Sequence, residues 1–227
     1  QIEVAGSTRR RKETVGDIDI LVTSDDPERV IRTFVSLPSA LDVLAHGETK
    51  ASIRHQEGIQ VDLRVVEPEA FGAALQYFTG SKEHNVRIRE IASKKGLKLS
   101  EYGVFNEKTN RRIAGATEEE VYRAVGLPWI PPELRENSGE VEAALKGHLP
   151  DLIEPDAIRG DLHAHTDWSD GHHSLEALVG AAEARGYEYI IVSDHSKSST
   201  VAGGLTPAAL RAQSRKIREL QKKHKSR

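Results

Sequence analysis

GSTRRRKETVGDIDILV, residues 6–22, decides how the rest of the chain is read. Asp17 and Asp19 stand two apart in a run whose other members, Ile18, Ile20 and Leu21, are apolar. A strand has a side-chain period of two, so both carboxylates leave one face while Ile18 and Ile20 enter a core. Like charges held this close repel and raise one another's pKa. A hard divalent cation relieves that repulsion, and Mg²⁺ is the usual one where phosphates complete the ligand set. Just upstream, Gly6-Ser7 with Arg9, Arg10 and Arg11 offers close backbone approach, a hydroxyl and guanidinium forks suited to a polyphosphate. Acids beside an anion cradle point to phosphoryl or nucleotidyl transfer.

Working outward, residues 2–5 and 18–22 read as short strands flanking the GSTRRR connection. Residues 26–37 form an amphipathic helix, with Asp26 as cap and Pro27 in its first turn. A strand meander follows and ends in IQVDLRVV. There Val61, Leu63 and Val65 alternate with Asp62 and Arg64, which makes Asp62 a third carboxylate on a half-buried strand. Laid beside the Asp17/Asp19 strand, it completes a set able to hold two metals, with Arg64 on the same face to orient a carboxylate.

Residues 69–79 and 83–95 read as helices stopped by Gly80 and Gly96. A hairpin turning at residues 106–110 and a helix opened by a Thr117/Glu120 capping box come next. The proline-rich run 127–140 closes that domain, and residues 139–146 read as a short helix inside a linker.

The chain has 227 residues, 37% hydrophobic and 30% charged, which suits about two globular domains. A net charge of −3 gives no basic footprint, so nucleic-acid binding rests on local patches. Cysteine is absent, as in proteins of a reducing cytoplasm. No apolar run reaches about 18 residues, so no membrane span is expected. The chain opens at Gln1 without methionine and stops in the lysine-rich helix IRELQKKHKSR, which reads as an internal piece of a longer protein.

The order of motifs resembles the X family of DNA polymerases, which includes the β enzyme, and its bacterial members in particular. The matching residues are Gly6-Ser7 with Arg9-Arg10, Gly16-Asp17-Ile18-Asp19, Val61-Asp62-Leu63-Arg64, Tyr77-Phe78-Thr79-Gly80-Ser81 and Asn85. The resemblance implies an α+β fold: a partial palm over residues 1–68, a mixed twisted sheet with helices on one face, then a mainly helical thumb over 69–135. It implies that Asp17 and Asp19 bridge two Mg²⁺ (or Mn²⁺) ions and that Asp62 holds the one at the primer 3′-OH. Gly6, Ser7, Arg10 and Gly16 would meet the incoming dNTP. Tyr77, Phe78 and Gly80 would pack on its sugar and Asn85 would touch its base. Arg64 and Arg89 would serve the DNA side. Lys82 and Gln60 depart from the β enzyme's charges.

After a linker over 136–157, residues 158–227 resemble the start of a PHP (polymerase and histidinol phosphatase) domain, an α/β barrel that carries a 3′–5′ exonuclease in bacterial X-family polymerases. His163 and His165 share a strand face, Asp170 follows on a loop, and a strand–helix–strand spacing delivers Asp194 and His195. The resemblance makes His163, His165, Asp170 and His195 ligands of Mn²⁺ or Zn²⁺ in a site completed by later strands. The expected enzyme is a monomeric gap-filling repair polymerase acting on gapped or primer-template DNA. Its rivals are a non-templated nucleotidyltransferase, a metal-dependent phosphoesterase whose first domain only binds DNA, and a fragment that binds without catalysing.

Overall fold

The computed structural model describes residues 1–224 and divides after Pro150 into two units. The last three residues of the expected C-terminal helix, 225–227, lie outside the described residues.

The first unit opens with β1 (Ile2–Val4), a four-residue helix α1 (Gly6–Arg9) and β2 (Asp17–Val22). Helix α2 (Pro27–Val35) follows, begun by the Asp26 side chain accepting from Arg29 N at 3.0 Å. Strands β3 (Ala40–His46), β4 (Lys50–His55) and β5 (Gln60–Val65) complete a mixed sheet in the order β1-β2-β5-β4-β3. Only the β2–β5 pair is parallel. The crossover through α2 makes that parallel pairing possible.

Period-two alternation then sorts the residues. Val61, Leu63 and Val65 are buried with Ile31 and Phe34 of α2, and Ile18 and Ile20 pack against the same cluster. The opposite face carries Asp17, Asp19 and Leu21 on β2. Leu21 is 1% exposed because helix α3 (Phe71–Thr79) lays Phe71, Ala74 and Leu75 over it. Within residues 1–68 helix α2 covers one face of the sheet, and α3, which belongs to the thumb reading, covers part of the other. An apolar residue continuing the acid stripe demands cover, and α3 supplies it beside the carboxylates.

Beyond the Gly80 cap come α4 (Lys82–Lys94), then β6 (Leu97–Ser100), β7 (Gly103–Asn106) and β8 (Arg112–Ala114) as a three-stranded antiparallel sheet. The expected single hairpin gains a strand, since Glu101-Tyr102 makes a second turn ahead of β7. Helix α5 (Glu118–Ala124) is capped by Thr117, whose hydroxyl accepts from Glu120 N at 3.2 Å. Ile88, Val104, Val121 and Ile130 form the core of this half and are wholly buried.

Residues 140–145, α6 (Glu140–Leu145), were expected in a linker, but Val141 and Ala144 are buried in that same core. Glu140 meets His84 Nδ1 at 2.6 Å and accepts from Asn137 N and Ser138 N, while His84 Nε2 lies 2.9 Å from the Tyr122 hydroxyl. Burial pushes the His84 pKa down and the Tyr122 pKa up, so both are neutral at physiological pH. A proline-rich, polar stretch reads as solvated from its composition. Here its polar groups are satisfied by burial partners far away in sequence.

Gly72 at the start of α3 abuts the backbone of Thr117, and a Cβ there would overlap it. The Gly72 and Ala73 amides donate to Ala116 O and Gly115 O at 3.0 and 2.9 Å, so the contact has little room to open. Gly72→Ala is expected to cost about 1–3 kcal/mol through overpacking. Urea unfolding would show it, and a loss below about 0.5 kcal/mol, the usual scale of a surface change, would refute the packing argument.

The second unit pairs β9 (Gly160–Ala164) in parallel with β10 (Tyr189–Val192), with α7 (Leu175–Ala184) between them in sequence. Helix α8 (Pro207–Lys223) follows, capped by Thr206 and opened by proline. This is the βαβ unit that the alternation of apolar strand and helix predicted.

Candidate active site

Parallel pairing of β2 with β5 sets Asp19 directly beside Asp62, and Asp17 beside Gln60. The three carboxylates thus share one side of the sheet. The Asp19 pKa is pushed up to about 6, chiefly by burial and then by the charges of Asp17 and Asp62, with Arg64 and Arg10 opposing. Asp62 is held on its other flank. Gln60 Nε2 donates to both its oxygens at 3.2 and 3.0 Å, and Ser52 Oγ on β4 donates to Oδ1. Gln60, two before Asp62 on the same strand, shares its face by alternation alone, whereas Ser52 did not stand out in the sequence because the β4–β5 register is invisible there.

The anion side follows from the β1–β2 connection. Gly6 sits at φ +63°, and a Cβ there would strike Asp19 Oδ2, so glycine is required twice over. The three arginines after it part company. Arg9 turns inward to Glu118, with Nη1 and Nη2 donating at 2.9 and 2.8 Å. Arg11 pairs with Glu133 at 3.1 Å and is mostly exposed. Only Arg10 lines the cleft, braced by Glu136 at 2.8 Å and by the Thr79 carbonyl at 2.5 Å. The arginine cradle expected from the sequence therefore shrinks to one guanidinium, because a buried Glu118 claims its neighbour.

A cleft of about 400 Å³ opens between these elements. Gly6, Ser7, Arg10, Asp17 and Asp19 line one side. Tyr77 and Phe78 at the end of α3, Gly80, and Asn85 and Arg89 on α4 line the other, joined by Ser81 and Lys82. Gly80, at φ +73°, lets Arg10 pass close over the turn. Tyr77 and Phe78 meet edge to face with centroids 5.1 Å apart, and Arg64 stacks on Phe78 at 4.4 Å. Arg64 thereby stands behind the cleft, not in it. Asn85 is 8% exposed, its amide accepting from Gln76 at 2.6 Å and donating to the Tyr77 carbonyl at 2.7 Å. Gly16 lies outside the lining, on the exposed approach to β2.

The second unit gathers a separate cluster at the C-terminal ends of its two strands. His165 Nδ1 lies 2.7 Å from Asp170, His195 Nε2 lies 3.4 Å from Asp170, and donor atoms of all three fall within 4.8 Å of one another. His163 stacks on His165 with centroids 4.9 Å apart and Nε2 atoms 2.9 Å apart. The hydrogen bond from His165 holds the Asp170 carboxyl below its usual range. Asp194 does different work. It accepts from Thr166 N at 2.8 Å, Thr166 Oγ1 and Ser169 Oγ at 2.5 Å and Gln213 Nε2, fixing the loop that carries the cluster.

Residues 74–136 match the family model of the DNA polymerase beta thumb. The chain is also 41% identical over 215 residues, 94% of its length, to the DNA polymerase/3′-5′ exonuclease PolX of Bacillus subtilis. It is a member of the X family of DNA polymerases. Among other X-family relatives, DNA polymerase lambda of Rattus norvegicus is 31% identical over 58% of the chain. A repair DNA polymerase X of African swine fever virus is 29% identical over 59% of the chain and 80% of its own length. The chain spans 37% of the Bacillus relative and 28% of the rat one. Among the described residues, no helix of this X-family chain is long and apolar enough to cross a membrane.

Proposed function

We propose that the first unit catalyses DNA-directed transfer of a dNMP onto a primer 3′-OH, with two Mg²⁺ or Mn²⁺ ions, in gap-filling repair. The observation that carries this reading is the Asp19–Asp62 adjacency beside the Arg10 cleft. The donor set fits such ions. Asp17, Asp19 and Asp62 stand on one side of the sheet, and the protein's own cations leave Asp19 titrating near pH 6 rather than compensating it.

Divalent ions bound there would ease deprotonation of the primer hydroxyl and stabilise the charge on the leaving pyrophosphate. The residues of the chain have these roles. Asp17, Asp19 and Asp62 would hold the ions, Asp62 being the one expected nearest the primer hydroxyl. Ser7 and Arg10 hold the triphosphate, and Lys82 adds a cation to the same cleft. Tyr77 and Phe78 form a floor for the sugar, Asn85 on the same cleft wall braces the Tyr77 carbonyl and meets the base, and Arg64 and Arg89 serve the DNA side. Oxygen of the 3′-OH bonds to the α-phosphorus in line as the bond to pyrophosphate breaks.

For the second unit, the His165–Asp170–His195 cluster with His163 supports Mn²⁺ or Zn²⁺ binding, as the opening part of a site whose remaining ligands would come from later strands and whose 3′–5′ exonuclease activity the Bacillus relative's name carries. The test of the main reading is single-nucleotide addition to one-nucleotide-gap DNA. Incorporation of the templated dNTP alone is expected. Addition regardless of template would favour a non-templated nucleotidyltransferase.

The metal site makes a prediction about pH. Asp19 binds its proton more tightly folded than unfolded, so metal-free stability falls as pH rises from about 4 to about 6. Mg²⁺ at millimolar level should then raise the melting temperature at pH 7.5 and do little at pH 5. The difference between the native chain and Asp19→Asn isolates the effect. An equal Mg²⁺ response in both would place the ion elsewhere.

A further inference from the structure

Resting on that reading, we infer that Gln60 and Ser52 are positioning residues that fix the Asp62 carboxylate for a divalent cation. Asp62 has Asp19 as its lateral neighbour on β2, and Ser52 as its lateral neighbour on β4. Repulsion from Asp19 favours any rotamer that swings the Asp62 carboxylate away. Two donors hold it. The Ser52 hydroxyl, on a residue 5% exposed, donates to Oδ1, and the Gln60 amide bridges Oδ1 and Oδ2 at 3.2 and 3.0 Å.

Oδ1 takes both donors while Oδ2 takes only the Gln60 amide, so Oδ2 keeps lone-pair capacity for a further ligand. Both donors are uncharged. They orient the carboxylate without neutralising it, so the negative charge remains for a cation to balance. An arginine or lysine at either position would hold the carboxylate and weaken its pull on metal at the same time. Hydrogen-bonded partners of ligating carboxylates typically govern metal affinity by 10–100-fold, which sets the scale here.

The experiment is Mn²⁺ titration of the whole chain, followed by loss of the free-ion electron paramagnetic resonance signal. Asp62→Ala subtracts the component due to this site from that of the histidine cluster. Gln60→Ala and Ser52→Ala should each weaken the Asp62-dependent component about tenfold, with the metal-free melting temperature close to native. Ser52→Thr, which keeps the hydroxyl, should retain most of the affinity. Native affinity in both alanine variants, with the component still lost in Asp62→Ala, would overturn the inference and leave the catalytic reading standing. So would loss of affinity that tracks loss of folding and is not rescued by Ser52→Thr. If Asp62→Ala removes no Mn²⁺ component, the carboxylate site fails and this inference goes with it.

Discussion

Glu118→Ala is expected to cost the first unit about 3–5 kcal/mol, the scale on which a buried ion pair is broken one-sidedly. The Glu118 side chain is 4% exposed and takes four donors: Arg9 at 2.9 and 2.8 Å, Arg135 Nη1 at 2.6 Å and Trp129 Nε1 at 3.0 Å. Arg135 is fully buried, stacked near the Tyr122 and Trp129 rings, and its Nη2 has no partner among the described residues. Alanine at 118 would strand that guanidinium with only the Ile130 carbonyl to receive it. Arg9 would keep only its bond to the Thr79 hydroxyl at 2.8 Å, loosening the corner that presents Ser7 and Arg10. Burial by itself raises the Glu118 pKa, but the hydrogen bonds and charges of Arg9 and Arg135 outweigh it and bring it down to about 2. The folded state thus holds the charged form, and its contribution is full above about pH 4.5 and fades as pH falls toward 2. Urea unfolding at pH 7 and pH 3 would show both effects. A loss under about 1 kcal/mol at pH 7, the scale of a surface pair, would sink the argument.

Glu118 also shows where sequence reading stops. TEEE at residues 117–120 announces a capped helix start, and the Thr117 cap is there. Nothing local separates Glu118 from Glu119 and Glu120, yet Glu118 alone is buried. The same holds for Arg9, Arg10 and Arg11, whose fates are decided by Glu118, Glu136 and Glu133 more than a hundred residues on. By contrast, β2 and β5 are legible because alternation is a property of the strand itself. Ile18, Ile20, Val61 and Leu63 face one way and the acids the other, whatever lies beside them. Side-by-side placement of Asp19 and Asp62 needs the crossover through α2, which periodicity permits but does not specify. The three-stranded β6–β7–β8 sheet and the burial of α6 were illegible for a related reason. Short elements carry too little pattern, and their cores are assembled from distant partners such as His84 and Tyr122.

Asp62→Ala should lower nucleotide addition on gapped DNA by about 10³-fold, since charge stabilisation by a bound cation is worth several kcal/mol and each 1.36 kcal/mol is a factor of ten. Asp19→Ala should do at least as much, because Asp19 is the carboxylate that both neighbours crowd. Asp42→Asn makes the fitting control: Asp42 is an exposed acid on edge strand β3, 3.8 Å from Arg54, and should leave the rate unchanged. Mn²⁺ binding by the second unit's own His165–Asp170–His195 cluster should be indifferent to all three substitutions. The pattern discriminates between classes of explanation. If the first unit only bound DNA for a phosphoesterase, removing one negative charge from its face would strengthen binding to a polyanion, and activity would hold or rise. A fall of three orders of magnitude in addition, with Mn²⁺ binding at the histidine cluster intact, requires instead that the acids act where the new phosphodiester forms. Rates within about tenfold of native for Asp62→Ala would remove Asp62 from that chemistry, and with it the reason for reading β2 and β5 as one catalytic platform.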